Sequence, residues 1–289
     1  MIDRNKTIGA SEIGAIMGVN PYRTPVDVWL VKTGRQPEFE GNEATSRGLI
    51  LEPAIGAWFA RHTGRFVENC QVTHFAGQHC SATPDFTYET ENGKLGLLEC
   101  KSTAQRIADP EDLPQSWFLQ VMFQAAVLGN VEEISIAMLT GDLQFKLAVY
   151  EPETEFCKHL MDFADAWYKN HVITDVMPEP VNVEDIKKMY KQTQGSIEAG
   201  DSMREILQRM KDLKTEIAIK EKELEEMKAN VMLIMRDAEA VQADGKTLCT
   251  WKFSKPTTVF DAAALKEAMP EIYEQFQRQK EPNRVFLLK

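Results

Sequence analysis

Over the first 63 residues apolar positions recur with helical spacing. A short helix is predicted over 11–17, with Ser11 placed to cap it just ahead of Glu12. Residues 20–25 form a turn, 26–33 a second short helix, and Gly34 suits its end. A longer amphipathic helix covers 44–63, with Leu49, Ile55, Trp58 and Phe59 on one face and Gly64 closing it. The pattern then turns to strand-like runs at 66–73, 80–88 and 96–101, with a turn at Glu91-Asn92-Gly93-Lys94. Their succession reads as a meander or hairpin rather than a strand–helix–strand repeat. A helix over 114–128 ends at Gly129-Asn130. Strands at 133–139 and 145–150 flank Thr140-Gly141-Asp142, and 153–171 is helical again. The expected fold class is α/β, a central mixed β-sheet flanked by helices.

The remaining third has a different character. Residues 172–200 read as a linker, with Pro178, Pro180 and a polar run from Gln192 to Gly200. Met203, Met210, Ile217, Leu224 and Val231 then recur every seven residues. Ile206, Leu213, Met227 and Ile234 fill the second seam position, which Lys220 interrupts. This pattern fits a helix docked on its own protein, and equally a coiled coil for oligomerisation or partner binding. The last stretch reads as a small β-α-β element: strands at 247–253 and 257–260, a helix over 262–277 capped by Asp261, and a strand at 284–288. The expected organisation is a domain over 1–180, a linker and heptad helix over 181–240, and a terminal element over 241–289.

Composition narrows the function classes. Thirty-three basic against 44 acidic residues give a net charge of −11, which argues against a general nucleic-acid coat protein. A local basic channel on an enzyme remains compatible with it. No apolar run reaches the roughly 18 residues of a membrane helix, and the N-terminus has no signal-peptide core, so a cytoplasmic location is expected. Cys70, Cys80, Cys100, Cys157 and Cys249 show no CxxC spacing, which argues against a zinc knuckle, an iron–sulfur site or a disulfide framework. The five histidines do not group.

The candidate chemistry lies in the first domain. In Leu98-Glu99-Cys100-Lys101, Glu99 and Lys101 are two apart and share one strand face, while Cys100 points the other way. Asp85, within Thr83-Pro84-Asp85 on the neighbouring predicted strand, can reach that face. Glu52 on the long helix and Gln120 on the helix after the strands complete the set. Two carboxylates and a backbone carbonyl are hard oxygen ligands suited to magnesium or manganese. A lysine beside them can orient water and stabilise charge at phosphorus. A plain cross-strand ion pair between Asp85 and Lys101 is the structural alternative.

Over roughly residues 4–170 the chain resembles the YqaJ-type viral recombinase and phage lambda exonuclease family, of the PD-(D/E)xK nuclease superfamily. The motifs that carry the resemblance are Ile8-Gly9-Ala10-Ser11-Glu12, Arg47 through Pro53, Thr83-Pro84-Asp85, Glu99-Cys100-Lys101 and Gln120-Val121-Met122-Phe123-Gln124. The resemblance implies a restriction-endonuclease-like core. It implies that Asp85, Glu99 and the Cys100 carbonyl bind catalytic Mg2+ or Mn2+, two ions in all, with Glu52 holding or positioning the second. Lys101 would position and activate the attacking water, and Gln120 would support the site. Arg4, Ser11, Thr83, Arg47 and Arg106 would contact the 5′-phosphate or the DNA.

The implied activity is metal-dependent exonuclease digestion of one strand of linear duplex DNA, 5′ to 3′, leaving a 3′ single-stranded tail for phage-type recombination. Implied partners are double-stranded DNA ends, a single-strand annealing protein and further copies of the chain, a trimer included. Two rival readings use the same fold: an endonuclease or structure-specific nuclease, and a non-catalytic DNA-binding scaffold. The family's smallest members have no equivalent of the C-terminal third.

Overall fold

The computed structural model describes residues 6–70, 72–109, 112–190, 192–279 and 284–289. The chain forms two compact units, Met1–Tyr190 and Lys191–Lys289.

The first unit opens with β1 (Ile8–Gly9), α1 (Ala10–Ile16), α2 (Pro25–Lys32) and α3 (Glu43–Thr63). Gly64 ends α3 in the left-handed conformation, φ 74°, as its lack of Cβ allows. The helix runs through Pro53, which removes one backbone donor immediately after Glu52. Next come β2 (Val67–Asn69), β3 (His74–Ala76), β4 (Cys80–Ala82), β5 (Phe86–Glu89) and β6 (Leu95–Ser102). Then follow α4 (Gln115–Leu128), β7 (Val131–Leu139), β8 (Phe145–Tyr150), α5 (Thr154–Trp167), a π-helical turn (Tyr168–Ile173) and α6 (Val183–Met189).

Five strands form one sheet in the order β2-β5-β6-β7-β8, and β1-β4-β3 form a smaller one. The sheet is mixed, as expected: β2, β5 and β6 run antiparallel in succession, and a parallel pair follows. β6 and β7 are parallel and α4 is their crossover. Parallel neighbours cannot be joined by a tight turn, so a helix must intervene. Their apolar runs, Leu97-Leu98 and Ile134–Met138, are buried on both faces, which suits central strands.

The strand expected over 80–88 divides between the two sheets, and the one expected over 66–73 shortens to β2, with β3 following just beyond its end. Val67–Asn69 and Phe86–Glu89 join the large sheet, whereas His74–Ala76 and Cys80–Ala82 join the small one. Thr83-Pro84-Asp85 is the crossing between them. Pro84 has no N–H to continue a ladder, so the chain leaves one sheet there and enters the other.

Two apolar layers flank the large sheet. Ile55 and Phe59 of α3 pack with Phe86, Tyr88, Leu98 and Ala137. On the other face Leu97, Ile134, Ile136 and Met138 pack under α1, α2, α4 and α5. Gly96 is required by packing: a Cβ there would lie 2.2 Å from the Tyr88 ring. Residues 172–200, read as linker, contain α6, whose buried Asp185 accepts from Thr24 Oγ1 at 2.8 Å.

The second unit is led by α7 (Asp201–Met235), one unbroken helix across the heptad pattern. β9 (Ala240–Ala243) and β10 (Lys246–Thr250) form an antiparallel hairpin around Asp244-Gly245, both at positive φ. The expected strand over 247–253 is therefore shorter and pairs backwards. No strand forms at 257–260 or 284–288 among the described residues. The expected helix over 262–277 is two: α8 (Ala262–Ala268), capped by the Asp261 side chain, and α9 (Pro270–Gln275). The break falls at Met269, since a residue preceding proline is driven out of helical conformation.

Candidate active site

The alternation of β6 sends Leu98 and Cys100 toward α3 and Leu97, Glu99 and Lys101 toward α4. Two glutamines one turn apart on α4, Gln120 and Gln124, meet them. Lys101 Nζ donates to Glu99 Oε1 at 2.7 Å and to Gln120 Oε1 at 3.0 Å. Gln120 Nε2 donates to Glu99 Oε1 at 2.6 Å, and Gln124 Nε2 to Glu99 Oε2 at 2.7 Å. Glu99 is buried, and these donors compensate its charge.

Asp85 stands across the β5–β6 ladder, and its Oδ2 accepts from the Cys100 N–H at 2.7 Å. Lys101 pairs with Glu99 rather than with Asp85, so the simple cross-strand ion pair does not form. Burial, and then the nearby Glu99 charge, push the Asp85 carboxyl up to about 8. Glu52, on α3, is raised in the same direction by burial and by Glu99. Burial alone would lower the Lys101 pKa, but Glu99 and Asp85 outweigh it and the ammonium is raised instead. Lys101 is a cation and a proton donor here, not a free base. The Cys100 thiol is raised by burial and by the same carboxylates, so it is no nucleophile.

Asp85, Glu99, Gln120 and Gln124 border a cavity of about 130 Å³ also lined by Gly9, Ser11, Ser81 and Thr83, among others. The structure thus brings Glu52, Asp85, Glu99, Cys100, Lys101 and Gln120 together, with Ser11 and Thr83 on the same cavity. Thr83 Oγ1 shares a hydrogen bond with Thr73 Oγ1 at 2.9 Å. Arg47 is exposed on α3. Arg106 is exposed and pairs with Asp142 at 3.4 Å, away from the cavity lining. Arg4 lies outside the described residues.

Ser11 does not cap α1. The N-cap is Gly9, whose N–H is taken by Glu12 Oε2 at 2.9 Å, which leaves Ser11 within the first turn. Glu12 is itself buried and pairs with Lys32 Nζ at 2.7 Å and Arg23 Nη2 at 3.1 Å. This ties the 20–25 turn and α2 to the cavity rim. Sequence reasoning missed Lys32, Ser81 and the role of Gln124. The four-residue spacing of Gln120 and Gln124 was the available signal, since it puts both on one helix face.

The residues fit a divalent cation in donor chemistry and in charge. Three carboxylates (Glu52, Asp85, Glu99) face one ammonium, and desolvation followed by the Glu99 charge makes Asp85 resist ionisation. Among the described residues no three His, Cys, Asp or Glu side chains converge closely enough to hold an ion by themselves. Carbonyl, amide or water oxygens would complete the coordination.

Fold and site together define an α/β domain with a buried acidic centre where two sheets meet. Its residues 2–132 match the family model of the YqaJ-like viral recombinase domain. The uncharacterized protein YqaJ of Bacillus subtilis (strain 168) is 26% identical over 296 residues, spanning 96% of this chain and 90% of its own. Among solved structures, the alkaline exonuclease LHK-Exo from Laribacter hongkongensis is 16% identical with a TM-score of 0.47, over 60% of this chain and 91% of its own. LHK-Exo in complex with dAMP gives 19% and a TM-score of 0.49, over 64% and 94%. A phage related exonuclease from Haemophilus somnus 129PT gives 11% and 0.46, over 58% and 96%.

Proposed function

We propose that the chain is a divalent-metal-dependent DNA exonuclease. It digests one strand of linear duplex DNA from the 5′ end and leaves a 3′ single-stranded tail. The observation that carries this reading is the Lys101 ammonium fixed between Glu99 and Gln120, next to a half-buried Asp85 that faces Glu99. The family match over residues 2–132 supports it.

Asp85, Glu99 and the Cys100 carbonyl would hold Mg2+ or Mn2+, with Glu52 serving a second ion. A bound divalent cation supplies Lewis-acid charge to a phosphate oxygen and lowers the pKa of a coordinated water. The chain's own residues do the rest. Lys101, kept protonated, donates to the attacking water or to a non-bridging oxygen and balances charge developing at phosphorus. Gln120 holds Lys101 on one side and Glu99 on the other, so both stay in register. Ser11 and Thr83 offer hydroxyl donors to a terminal phosphate in the cavity, with Arg4, Arg47 and Arg106 supplying positive charge along the DNA. The 3′ tail would be handed to a single-strand annealing protein. Further copies of the chain would assemble through the heptad seam of α7.

Asp85→Ala, Glu99→Ala and Lys101→Ala are each expected to lower cleavage of linear duplex by about 100-fold or more, with unchanged circular dichroism. Covalently closed circles should stay intact with every form of the protein. A Glu99→Ala variant that cuts at an appreciable rate would sink the assignment. Efficient cutting of circles by the wild type would move the protein to the endonuclease class.

A further inference from the structure

Gln124 is 1% exposed and lines the cavity beside Asp85, Glu99 and Gln120. Its Nε2 donates to Glu99 Oε2 at 2.7 Å. An ionised carboxylate can only accept, so this partner fixes which way the amide faces. The opposite atom, Oε1, is buried and has no hydrogen-bond donor among the described residues. A buried amide oxygen is unfavourable in that condition unless something entering the cavity donates to it.

Glu99 narrows what that donor is. Its Oε1 already accepts from Lys101 and Gln120, which occupies both lone-pair directions. Its Oε2 accepts from Gln124 and keeps one direction open. The carboxylate oxygen with room for another partner is thus the one Gln124 holds, and the orphaned amide oxygen belongs to the same side chain. A divalent cation taken by Glu99 would use Oε2. Such cations keep several of their waters, and those waters are strong donors directed outward.

Resting on the reading of this site as a divalent-cation centre, we propose that Gln124 is a positioning residue of that centre. Its Nε2 orients Glu99, and its Oε1 accepts a hydrogen bond from a cation-bound water. Gln120 and Gln124 divide the work by their spacing: the first holds the lysine side of Glu99 and the second its cation side. Groups of this kind, which orient a ligand without touching the metal, change metal affinity by about 10- to 100-fold when removed.

The test is calorimetric titration of the full chain with Mn2+ alone, without DNA, so that no activity enters the readout. Gln124→Met keeps the volume and removes both hydrogen bonds. It is expected to weaken Mn2+ binding about 10- to 100-fold. Gln124→Asn keeps the amide but shortens its reach, and should weaken binding less; it also serves if the methionine variant does not fold. Ser135→Ala removes a buried hydrogen bond to the Tyr88 hydroxyl and controls for general destabilisation; its Mn2+ affinity should be unchanged. Wild type that binds Mn2+ no more tightly than the Gln124 variants would overturn this inference and leave the cation centre standing. Wild type that binds no Mn2+ or Mg2+ at all would overturn the cation centre itself, and this inference with it.

Discussion

Asp85 shows how one position can be set against itself. It is half-buried, faces Glu99, and is compensated only in part by the Cys100 N–H and the Lys101 charge. Its folded pKa is pushed up to about 8 from an ordinary value of 3.8, so the folded chain holds a proton that the unfolded chain has released. Without cation, stability is therefore expected to fall as pH rises between those two values. Asp85→Asn should flatten that slope in denaturation curves taken without divalent ion; an unchanged slope would contradict the assignment. The same sign governs cation binding. The proton must leave first, so Mn2+ affinity should rise with pH up to about 8. Titrations in buffers of different ionisation enthalpy would show the released proton. Asp85, Glu99 and Lys101 were legible in the sequence because a period of two fixes which strand residues share a face. Gln124 was legible only in its spacing, because hydrogen-bond saturation of Glu99 becomes visible only in three dimensions.

At the scale of elements, helices were read more truly than strands. α3 and α4 each carry a terminating signal within one residue of the expected C-terminal end: Gly64 for α3, Gly129 for α4. Strand runs gave no such punctuation. Residues 80–88 looked like one strand, yet the sequence pattern cannot say that a chain changes sheet midway. Pro84 was the clue, and its consequence is to place Asp85 at the junction. The parallel β6–α4–β7 unit was hidden because helix and strands were recognised singly, while pairing direction is a tertiary property. Gly96 is the element-scale lever. Gly96→Ala drives a Cβ into the ring of Tyr88, which is buried and hydrogen-bonded to Ser135. It should cost about 1–3 kcal/mol in urea denaturation, while a surface glycine such as Gly200, with open space around it, should tolerate alanine with far less loss. Equal effects at the two sites would refute the packing argument.

For the molecule as a whole, the acidic charge of −11 and the two-unit organisation set the remaining expectations. Among the described residues no helix is long and apolar enough to cross a membrane. Along the α7 seam, Ile217 and Leu224 are each 55% exposed. A combined Ile217→Lys, Leu224→Lys variant is expected to lower the sedimenting mass relative to wild type, with the first unit's fold retained. Equal masses would remove the seam from assembly. The far tail was the least legible part. Exposed runs such as 257–260 carry strand-like residues without a partner to pair with, and propensity alone does not make a strand.

The central claim is end-dependent, single-strand digestion at the Asp85–Glu99–Lys101 centre. The most direct measurement follows a linear duplex labelled on one strand, with and without a 5′-phosphate, in Mg2+ and in chelator. Stepwise loss of the strand from its 5′ end is expected, favoured by the phosphate, silent in chelator, with the complementary strand left intact. Digestion from the 3′ end, equal loss of both strands, or undiminished cleavage in chelator would contradict it.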